Sequence, residues 1–408
     1  MKTAVNSGIS VLHDGSVTSP AGYRAGGVHC GIRRKKLDLG WLFTETPAAA
    51  AGVYTTNRFR AAPLSVTRES IGYEQKLQAV LVNSGVANAC TGNRGLEDAR
   101  QMRRAFSEVL GIEEHLVAVG STGVIGPLLP LENIKEGIKG YGEAANHISG
   151  RFETAIQTTD TCEKKAAVQF ETGGRVITVG GAAKGSGMVH PDMATMLGFL
   201  TTDADICAEA LQKALRETVN RTFNMITVDG DSSTNDMVLV MANGRAGNIQ
   251  LHEEHPDWET FVSALEEVCM MLAKQIARDG EGATKLIETT VSGALTEEAA
   301  RRAAKAVISS NLVKTAVFGA DPNWGRIVCA AGYSGESVEP EKISVKLGDL
   351  PLVREGMPLP FDEAEGAEYL KQDTIRIFLD LGQGEAEATA WGCDLTYDYV
   401  KINASYRT

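Results

Sequence analysis

Short apolar runs that lead into glycine-containing stretches set the strongest limit on how this chain can fold. Leu77–Val82 leads into Asn83–Gly85, and His115–Val119 leads into Gly120–Gly123. Arg175–Val179 is a third such run, and another glycine-rich stretch follows it. Apolar runs of this length that end at turn residues are typical of buried strands. Since glycine makes up 43 of 408 residues, we expect a strand-rich chain with tight turns at these stretches.

Further elements complete a mixed pattern of helices and strands. Helical spacing of apolar residues predicts helices over Leu96–Leu110 and Glu297–Val307. Four more strands are expected to pair with their sequence neighbours, the second pair as a β-hairpin: Asn224–Asp229 with Met237–Met241, and Thr374–Leu381 with Glu385–Trp391. Because strands outnumber well-separated β-α-β units, a layered α+β sandwich is favoured over a doubly wound sheet. The length exceeds one ordinary core, and we expect a domain boundary near residue 280.

The net charge of −12 is unevenly distributed along the chain. Residues 1–194 carry 21 basic and 18 acidic side chains, whereas residues 195–408 carry 19 and 34. Neither part has the basic stripe of a nucleic-acid-binding protein, so no nucleic-acid partner is expected. No apolar run approaches 18 residues and no signal-peptide core is visible, so no membrane span is expected. Seven scattered cysteines without a C-x-x-C pair favour reduced thiols in a cytoplasmic protein.

The common motifs of nucleotide, metal and serine chemistry fail on their spacing. Lys184-Gly185-Ser186 reverses the glycine–lysine order that a phosphate loop needs. His252 and His255 are one residue too close for the H-E-x-x-H zinc helix, and Asp229–Asp236 lacks the spacing and closing Glu of an EF-hand. No G-x-S-x-G elbow is present. The residues alone predict no metal site, and the segment Val179–Leu197 stays open between an ordinary turn and a functional loop.

One signature and a series of further blocks follow each other along nearly the whole chain. The signature is Lys184–Met188, then Pro191, then Met193–Leu197. The other blocks are Pro20–Tyr23, Val82–Gly92, Ser121–Gly126, Thr158–Thr161, Asp279–Lys285, Leu312–Ala316, Asp321–Ile327 and Asn403–Thr408. Together they resemble the ornithine acetyltransferase family, the glutamate N-acetyltransferases of arginine biosynthesis. One departure is Cys162-Glu163-Lys164, where that family usually has x-Pro-Lys.

The resemblance implies a fold and a covalent rearrangement. The expected fold is a layered αββα sandwich, similar in outline to N-terminal-nucleophile hydrolases but differently connected, with a smaller C-terminal α/β domain. The precursor is expected to cut itself between Ala194 and Thr195, giving an alpha chain (1–194) and a beta chain (195–408). Two copies of each chain are expected to assemble as a heterotetramer.

The resemblance also implies a reaction and the residues that perform it. Thr195 is the expected nucleophile, which takes acetyl from N-acetylornithine as an ester and passes it to glutamate. Its freed α-amine, with a reference pKa of about 7.7–8.0, lies close to the working pH of a general base. Thr122 and Gly123 are the expected oxyanion hole, since a Thr-Gly turn after a strand can aim a hydroxyl and a backbone N–H at one point. The substrate-binding positions, besides the nucleophile, are Thr158, Lys184, Glu281, Asn403 and Thr408.

Cofactors and competing functions follow from the same chemistry. Because one amide replaces another, neither ATP nor metal is expected, although some family members also take acetyl from acetyl-CoA. One alternative is an N-terminal-nucleophile amidohydrolase or aminopeptidase with water as the acceptor. Another is an uncleaved amino-acid-binding protein on the same scaffold.

Overall fold

The computed structural model describes residues 8–148, 150–190 and 196–405, which form strands and helices throughout. The strands are β1 (Ser10–Val11), β2 (Tyr23–Val28), β3 (Leu39–Tyr54), β4 (Lys76–Val86), β5 (Val117–Val124), β6 (Lys164–Thr172), β7 (Arg175–Lys184), β8 (Leu197–Thr202), β9 (Ile226–Thr227), β10 (Met237–Ala242), β11 (Leu286–Ala294), β12 (Ser344–Leu347), β13 (Leu350–Arg354), β14 (Met357–Pro358), β15 (Thr374–Asp380) and β16 (Ala386–Cys393). The α-helices are α1 (Ala62–Glu74), α2 (Gly92–Leu110), α3 (Leu131–Lys139), α4 (Arg151–Ala155), α5 (Ala208–Arg221), α6 (Trp258–Arg278), α7 (Glu297–Ser309), α8 (Asn311–Phe318), α9 (Trp324–Gly332), α10 (Glu363–Tyr369) and α11 (Tyr397–Ala404).

These elements form two compact units that each draw on several stretches of the chain. The described residues of the first unit are 8–148, 150–185, 196–220 and 232–272. Those of the second unit are 186–190, 221–231 and 273–405.

The first unit is built on one mixed sheet with the strand order β1-β6-β7-β8-β10-β3-β4-β5, and β2 pairs with β3. At β4 both faces of this sheet are buried, since successive side chains of a strand point to opposite faces and each face packs in a core of its own. Val80 and Val82 of β4 belong to a core that includes Phe199. Ala79 and Leu81 belong to a second core with residues of α2, including Met102 and Phe106. Burial on both faces explains why these strands are continuous apolar runs.

The second unit has its own mixed sheet, with the order β14-β13-β12-β15-β11-β16-β9. Helix α7 packs on β11 and β16 and buries an alanine-rich face made of Ala300, Ala303, Ala304, Val307 and Ile308. Thr296 caps this helix, since its side chain accepts a hydrogen bond from the N–H of Ala299 at 3.1 Å. Small side chains allow a helix to lie close to a sheet, and the predicted helix in this region is confirmed.

The structure confirms the mixed α+β class, with two separate sheets and helices packed on them. It corrects the predicted turns, because β4, β5 and β7 all continue through the glycine-rich stretches, to Val86, Val124 and Lys184. Among the glycines of these stretches, Gly123 allows close approach to Gly85 of the neighbouring strand instead of reversing the chain, since a Cβ at Gly123 would lie 2.3 Å from the carbonyl carbon of Gly85. No helix within the described ranges is long and apolar enough to cross a membrane.

Both predicted strand pairings were wrong. Three of the four strands were found close to their predicted bounds, but of Asn224–Asp229 only Ile226–Thr227 is a strand. β9 and β10 belong to different sheets. β15 and β16 do not form a hairpin, because β11 lies between them, parallel to β15 and antiparallel to β16. The connecting residues Gln383 and Gly384 donate their N–H groups to the carbonyl of Gly293 in β11, both at 2.8 Å. The glycine-rich connection therefore crosses the end of a third strand, which periodicity within β15 and β16 cannot reveal.

Candidate active site

Lys184 and Thr122, two predicted site residues that are 62 positions apart, meet in the first unit. Lys184 ends β7 and Thr122 lies within β5, with 8% and 7% of their surfaces exposed. The Nζ of Lys184 donates to Oγ1 of Thr122 at 3.3 Å. A cationic donor and a hydroxyl are thus held together in a nearly dry environment, where their electrostatic effect on a bound group is larger than in water.

Gly123 has a backbone that only glycine can supply. Its φ is +132°, which L side chains rarely adopt. A Cβ at this position would also lie 2.3 Å from the carbonyl carbon of Gly85, its partner in the parallel β4–β5 pairing. The predicted turn at Thr122-Gly123 is in fact a strand end whose exact path depends on two adjacent glycines.

Asn235 anchors the same strand end from outside the sheet pairing. Its Nδ2 donates to the carbonyl of Ser121 at 2.8 Å and to that of Ala87 at 2.6 Å. The hydroxyl of Thr234 donates to its Oδ1 at 2.6 Å. Because the Ser121 carbonyl and the Thr122 N–H belong to one planar peptide group, this bond orients the backbone at Thr122. Sequence reasoning missed Asn235, which lies between the strands Asn224–Asp229 and Met237–Met241 that were expected to pair.

Asp160 forms a buried junction between Thr158 and the end of β7. Its Oδ2 accepts from the N–H of Thr158 at 2.9 Å, and its Oδ1 accepts from the N–H of Gly185 at 2.8 Å. The same Oδ1 accepts from Nζ of Lys164 at 2.7 Å, and neither side chain of that ion pair is exposed. Burial alone raises the pKa of Asp160, but the ammonium groups of Lys184 and Lys164 outweigh it and hold that pKa well below its usual range. Asp160 is therefore a carboxylate at neutral pH.

Asp236 is a second acid near Lys184, and its pKa is shifted in the direction opposite to that of Asp160. It is 3% exposed, and its Oδ2 has no hydrogen-bond partner. Burial raises the pKa of Asp236 well above its usual range, against the opposing effects of a hydrogen bond from Ser233 and the charge of Lys184. Two buried acids with separated pKa values in one region are typical of functional sites. The sequence carried no signal for this second acid beyond its place in an acidic segment.

The second unit brings together two other predicted residues, Glu281 and Asn403. The Nδ2 of Asn403, on α11, donates to Oε2 of Glu281 at 2.7 Å. Glu281 is 7% exposed, and its N–H donates to the carbonyl of Ser186 at 2.9 Å. A Cβ at Gly187 would lie 2.4 Å from the Glu281 carboxyl carbon, so the signature glycine leaves room for this acid.

Asp229 binds the backbone of the signature segment that follows Gly187. Its carboxylate accepts from the N–H groups of Met188 at 2.7 Å and Val189 at 2.9 Å, and from the hydroxyl of Tyr399 at 3.3 Å. Met188 adopts a φ of +54°, a left-handed backbone that is uncommon for a residue other than glycine. Burial and the neighbouring Asp229 raise the pKa of the Tyr399 hydroxyl, which stays protonated and able to donate. Neither Asp229 nor Tyr399 was predicted as a site residue.

The remaining predicted site residues, Ala194, Thr195 and Thr408, lie outside the described residues. Within the described ranges, no group of three or more His, Cys, Asp or Glu side chains could hold a metal ion. The described chemistry therefore consists of a lysine–threonine pair with its buried acids in one unit, and an acid–amide pair in the other.

Comparison with known proteins places this chemistry in a family. The sequence profile of the ArgJ family matches residues 24–408. The arginine biosynthesis bifunctional protein ArgJ of Oceanobacillus iheyensis is 56% identical over 408 residues, covering 100% of both chains. The protein of the same name from Bacillus subtilis is 56% identical over 394 residues, covering 97% of each chain. The crystal structure of arginine biosynthesis bifunctional protein ArgJ from Bacillus halodurans is similar with a TM-score of 0.50 and 55% identity, covering 51% of this chain and 98% of that one. The chain therefore belongs to the ArgJ family of bifunctional arginine-biosynthesis proteins, and it is an acyltransferase.

Proposed function

We propose that the chain is a self-cleaving glutamate N-acetyltransferase that moves acetyl from N2-acetylornithine to glutamate through an ester on Thr195. The observation that carries this proposal is the buried contact of Lys184 with Thr122, next to the glycine-dependent backbone of Gly123. A hydroxyl, a backbone N–H and an ammonium group in one dry region suit the negative charge that develops in acyl transfer. Removal of one such donor typically costs about 2.7–4 kcal/mol of barrier height.

The first step is cleavage of the precursor. The hydroxyl of Thr195 attacks the carbonyl carbon of Ala194, the acyl group moves from nitrogen to oxygen, and water opens the ester. The products are chains 1–194 and 195–408, and the second begins with a free α-amine. That amine supplies the nearby base which a threonine hydroxyl needs to act as a nucleophile. A supporting observation is that the Bacillus halodurans chain is about half as long as this one, as its coverage values imply.

The second step is ping-pong acetyl transfer. The Thr195 hydroxyl attacks the acetyl carbonyl of N-acetylornithine, its proton passes by way of the α-amine to the departing nitrogen, and ornithine leaves. The α-amine of glutamate then attacks the ester carbonyl, and the threonine oxygen recovers a proton as N-acetylglutamate forms. Thr122 and Gly123 stabilise the oxyanion in both half-reactions. Lys184, Thr158 and Thr408 bind the polar groups of the substrates.

Glu281 and Asn403 are assigned to the side-chain amine of ornithine. Glu281 is nearly buried and accepts a hydrogen bond from Asn403, so its carboxylate is oriented before substrate arrives. A carboxylate held in this way pairs well with an ammonium group, because little further ordering is required.

The remaining assignments concern conditions and assembly. Since an amide is exchanged for an amide, no metal or ATP enters the reaction, and acetyl-CoA is the proposed second acetyl donor. We assign the enzyme to the cytoplasm as a heterotetramer of two alpha and two beta chains. All seven cysteines are free thiols, which suits a reducing compartment.

A denaturing intact-mass spectrum, taken before and after brief incubation with N-acetylornithine, tests the proposal. We expect two chains of 194 and 214 residues, with one acetyl group added to the longer chain. Thr195→Ala should remain a single chain of 408 residues, whereas Thr195→Ser, which keeps a hydroxyl, should still be cut. A wild-type chain that stays intact and never gains an acetyl group would refute the mechanism and favour the amino-acid-binding protein.

The choice of acceptor separates the transferase from the hydrolase alternative. If glutamate is the acceptor, its addition accelerates the loss of N-acetylornithine, and N-acetylglutamate accumulates in equal amount. If water is the acceptor, acetate forms at a rate that does not depend on glutamate, and the transferase assignment fails.

A further inference from the structure

We propose that Lys314 is a positioning residue for Glu281, the acid assigned to the side-chain amine of ornithine. This inference rests on the proposed function, because it takes Glu281 as the group that recognises this amine. Lys314 lies on α8 of the second unit and belongs to one of the family's sequence blocks, Leu312–Ala316. Its action passes through the backbone of two neighbouring segments that hold Glu281 in place.

Lys314 is buried to a degree that is unusual for a lysine. It is 2% exposed, and its Nζ donates to the carbonyl of Val228 at 2.7 Å and to that of Cys393 at 2.5 Å. A lysine is rarely buried so completely unless its ammonium group is bonded, because taking that group out of water costs free energy. Cys393 ends β16, whereas Val228 follows β9. The two bonds therefore connect α8 to two segments that are far apart in the sequence.

One of these carbonyls leads to the loop that carries Glu281. The carbonyl of Cys393 and the N–H of Asp394 belong to one planar peptide group, so the bond from Lys314 orients the backbone at Asp394. The carboxylate of Asp394 accepts from the N–H of Thr284 at 2.8 Å and also from the Thr284 hydroxyl. Since Thr284 follows Glu281 by three residues, the end of this loop is fixed to an acid that Lys314 orients.

The other carbonyl leads to the signature segment. The carbonyl of Val228 shares a peptide group with the N–H of Asp229, so Lys314 also orients the backbone at this second acid. Val228 donates its own N–H to the carbonyl of Val189 at 2.7 Å, and the carboxylate of Asp229 accepts from the N–H of Val189 at 2.9 Å. The signature segment is thus bound at both polar groups of Val189 by residues next to the lysine contact.

Glu281 lies between these two fixed segments. Its N–H donates to the carbonyl of Ser186, in the signature segment, at 2.9 Å. A Cβ at Gly280, the residue before it, would lie 2.7 Å from Sγ of Cys393 and 3.2 Å from a methyl carbon of Val228. The loop therefore packs directly on the two residues whose carbonyls the buried lysine binds. Loss of the ammonium group would remove the shared anchor, and the carboxylate of Glu281 would be less well oriented for a substrate amine.

The test measures how strongly the enzyme prefers a substrate that carries the amine. N-acetylornithine is compared with N-acetylnorvaline, which has the same carbon chain without the side-chain amine, and the ratio of their kcat/KM values is the readout. Glu281→Gln gives the value of this ratio when the amine has lost its charged partner. We expect Lys314→Met, which keeps an unbranched side chain but removes the ammonium group, to lower the wild-type ratio on the order of tenfold.

Two further variants separate positioning from a general loss of structure. In Lys314→Met/Glu281→Gln the ratio should be no lower than in Glu281→Gln alone, because the lysine acts through Glu281. The matched control is Lys285→Met in the same unit, since the Nζ of Lys285 also binds two backbone carbonyls, of Val317 at 2.6 Å and Phe318 at 3.3 Å. We expect the control to lose stability in urea unfolding and to keep the wild-type ratio.

The outcomes distinguish this inference from the proposed function. An unchanged ratio in Lys314→Met, while Glu281→Gln lowers it, overturns this inference alone. An equal fall in Lys285→Met also overturns it, because the ratio would then report a general disturbance of the fold. An unchanged ratio in Glu281→Gln refutes the role of Glu281 in the proposed function, and this inference with it.

Stability and turnover do not limit the test. If Lys314→Met does not fold, Asp394→Asn replaces it, because an amide nitrogen cannot accept from Thr284, and an unchanged ratio then overturns the inference. Calorimetric affinities for the two compounds give the same ratio without turnover. A wild type that binds N-acetylornithine but transfers no acetyl group would refute the proposed function, while the ratio of affinities still decides the role of Lys314.

Discussion

Gly123→Ala is the sharpest test of how the backbone shapes the candidate oxyanion hole. The new Cβ would lie 2.3 Å from the carbonyl carbon of Gly85 and 2.5 Å from its oxygen. These atoms belong to the backbone of β4, so no side-chain rotation can relieve the overlap. The end of β5 must move away from β4, and the hydroxyl of Thr122 and the N–H of residue 123 move with it.

Two contributions set the size of the effect. Overpacking of a filled site typically costs about 1–3 kcal/mol. A backbone conformation of this kind, at a φ of +132°, costs roughly 1–3 kcal/mol more for a residue with a Cβ. The free energy of unfolding should therefore fall by about 2–6 kcal/mol, within a typical total of about 5–15 kcal/mol. Displacement of one oxyanion donor should slow acyl transfer by about 10²–10³-fold.

The assay compares Gly123→Ala with Gly120→Ala in the same strand. A Cβ at Gly120 would lie 3.4 Å from a methyl carbon of Val82, an ordinary contact, and its φ is not positive. Urea unfolding, the rate at which precursor converts to two chains, and the rate of acetyl transfer are measured for both variants. We expect the Gly120 variant to remain close to the wild type in all three measurements.

We expect the two rates to fall together in Gly123→Ala, because cleavage and transfer both develop an oxyanion and we propose that the same donors, at Thr122 and Gly123, stabilise it in both. A variant that cleaves itself and transfers acetyl at wild-type rates would refute the reasoning. So would a loss of stability of equal size in both glycine variants, since the clash exists at Gly123 alone.

Three further predictions concern acids and amides near the proposed site. Burial raises the pKa of Asp236, so the wild type should lose stability as pH rises from about 4 through that pKa, by up to about 1.4 kcal/mol per unit. Asp236→Asn lacks this loss, and its melting temperature should exceed that of the wild type at pH 8 but not at pH 4; equal differences at both values would contradict the assignment. Glu281→Gln should raise KM for N-acetylornithine on the order of tenfold or more, because a charge-assisted contact becomes neutral, and an unchanged KM in steady-state kinetics would remove Glu281 from the site. Asn235→Ala removes the donor to the carbonyls of Ala87 and Ser121, and the free energy of unfolding should fall by about 1–3 kcal/mol for each of them. An unchanged urea midpoint would contradict this prediction and show that water replaces the amide.

Most of the strands and helices that were predicted were found, because their positions depend on local periodicity. Leu77–Val82 lies within β4, and the predicted helices Leu96–Leu110 and Glu297–Val307 lie within α2 and α7. Strand partners were not predictable in the same way. The insertion of β11 between β15 and β16 joins residues about a hundred positions apart, and no local pattern records such a contact.

In the candidate site, too, local motifs were predictable from the sequence and long-range contacts were not. Motifs in sequence order identified the family, and they selected Thr122, Lys184, Glu281 and Asn403, which the structure then placed in two contacting pairs. The residues that support this site were not predicted. Asn235, for example, lies in a polar loop and has no property that distinguishes it from any other turn residue. Its role exists only because the fold carries it to the carbonyl of Ser121.

By itself, then, the sequence determined the positions of several strands and two helices, the order of the family motifs and the residue types available for acyl transfer. Tertiary structure alone decided which strands pair, that Gly123 must be glycine against Gly85, and that Asp160 and Asp236 carry opposite protonation tendencies. The physical reason is that periodicity and turn chemistry act over a few residues, whereas burial and charge proximity depend on groups that are distant in sequence. A carboxyl group has the same chemistry at every position of the chain, and only the folded surroundings of Asp160, with two lysines, make it a buried anion.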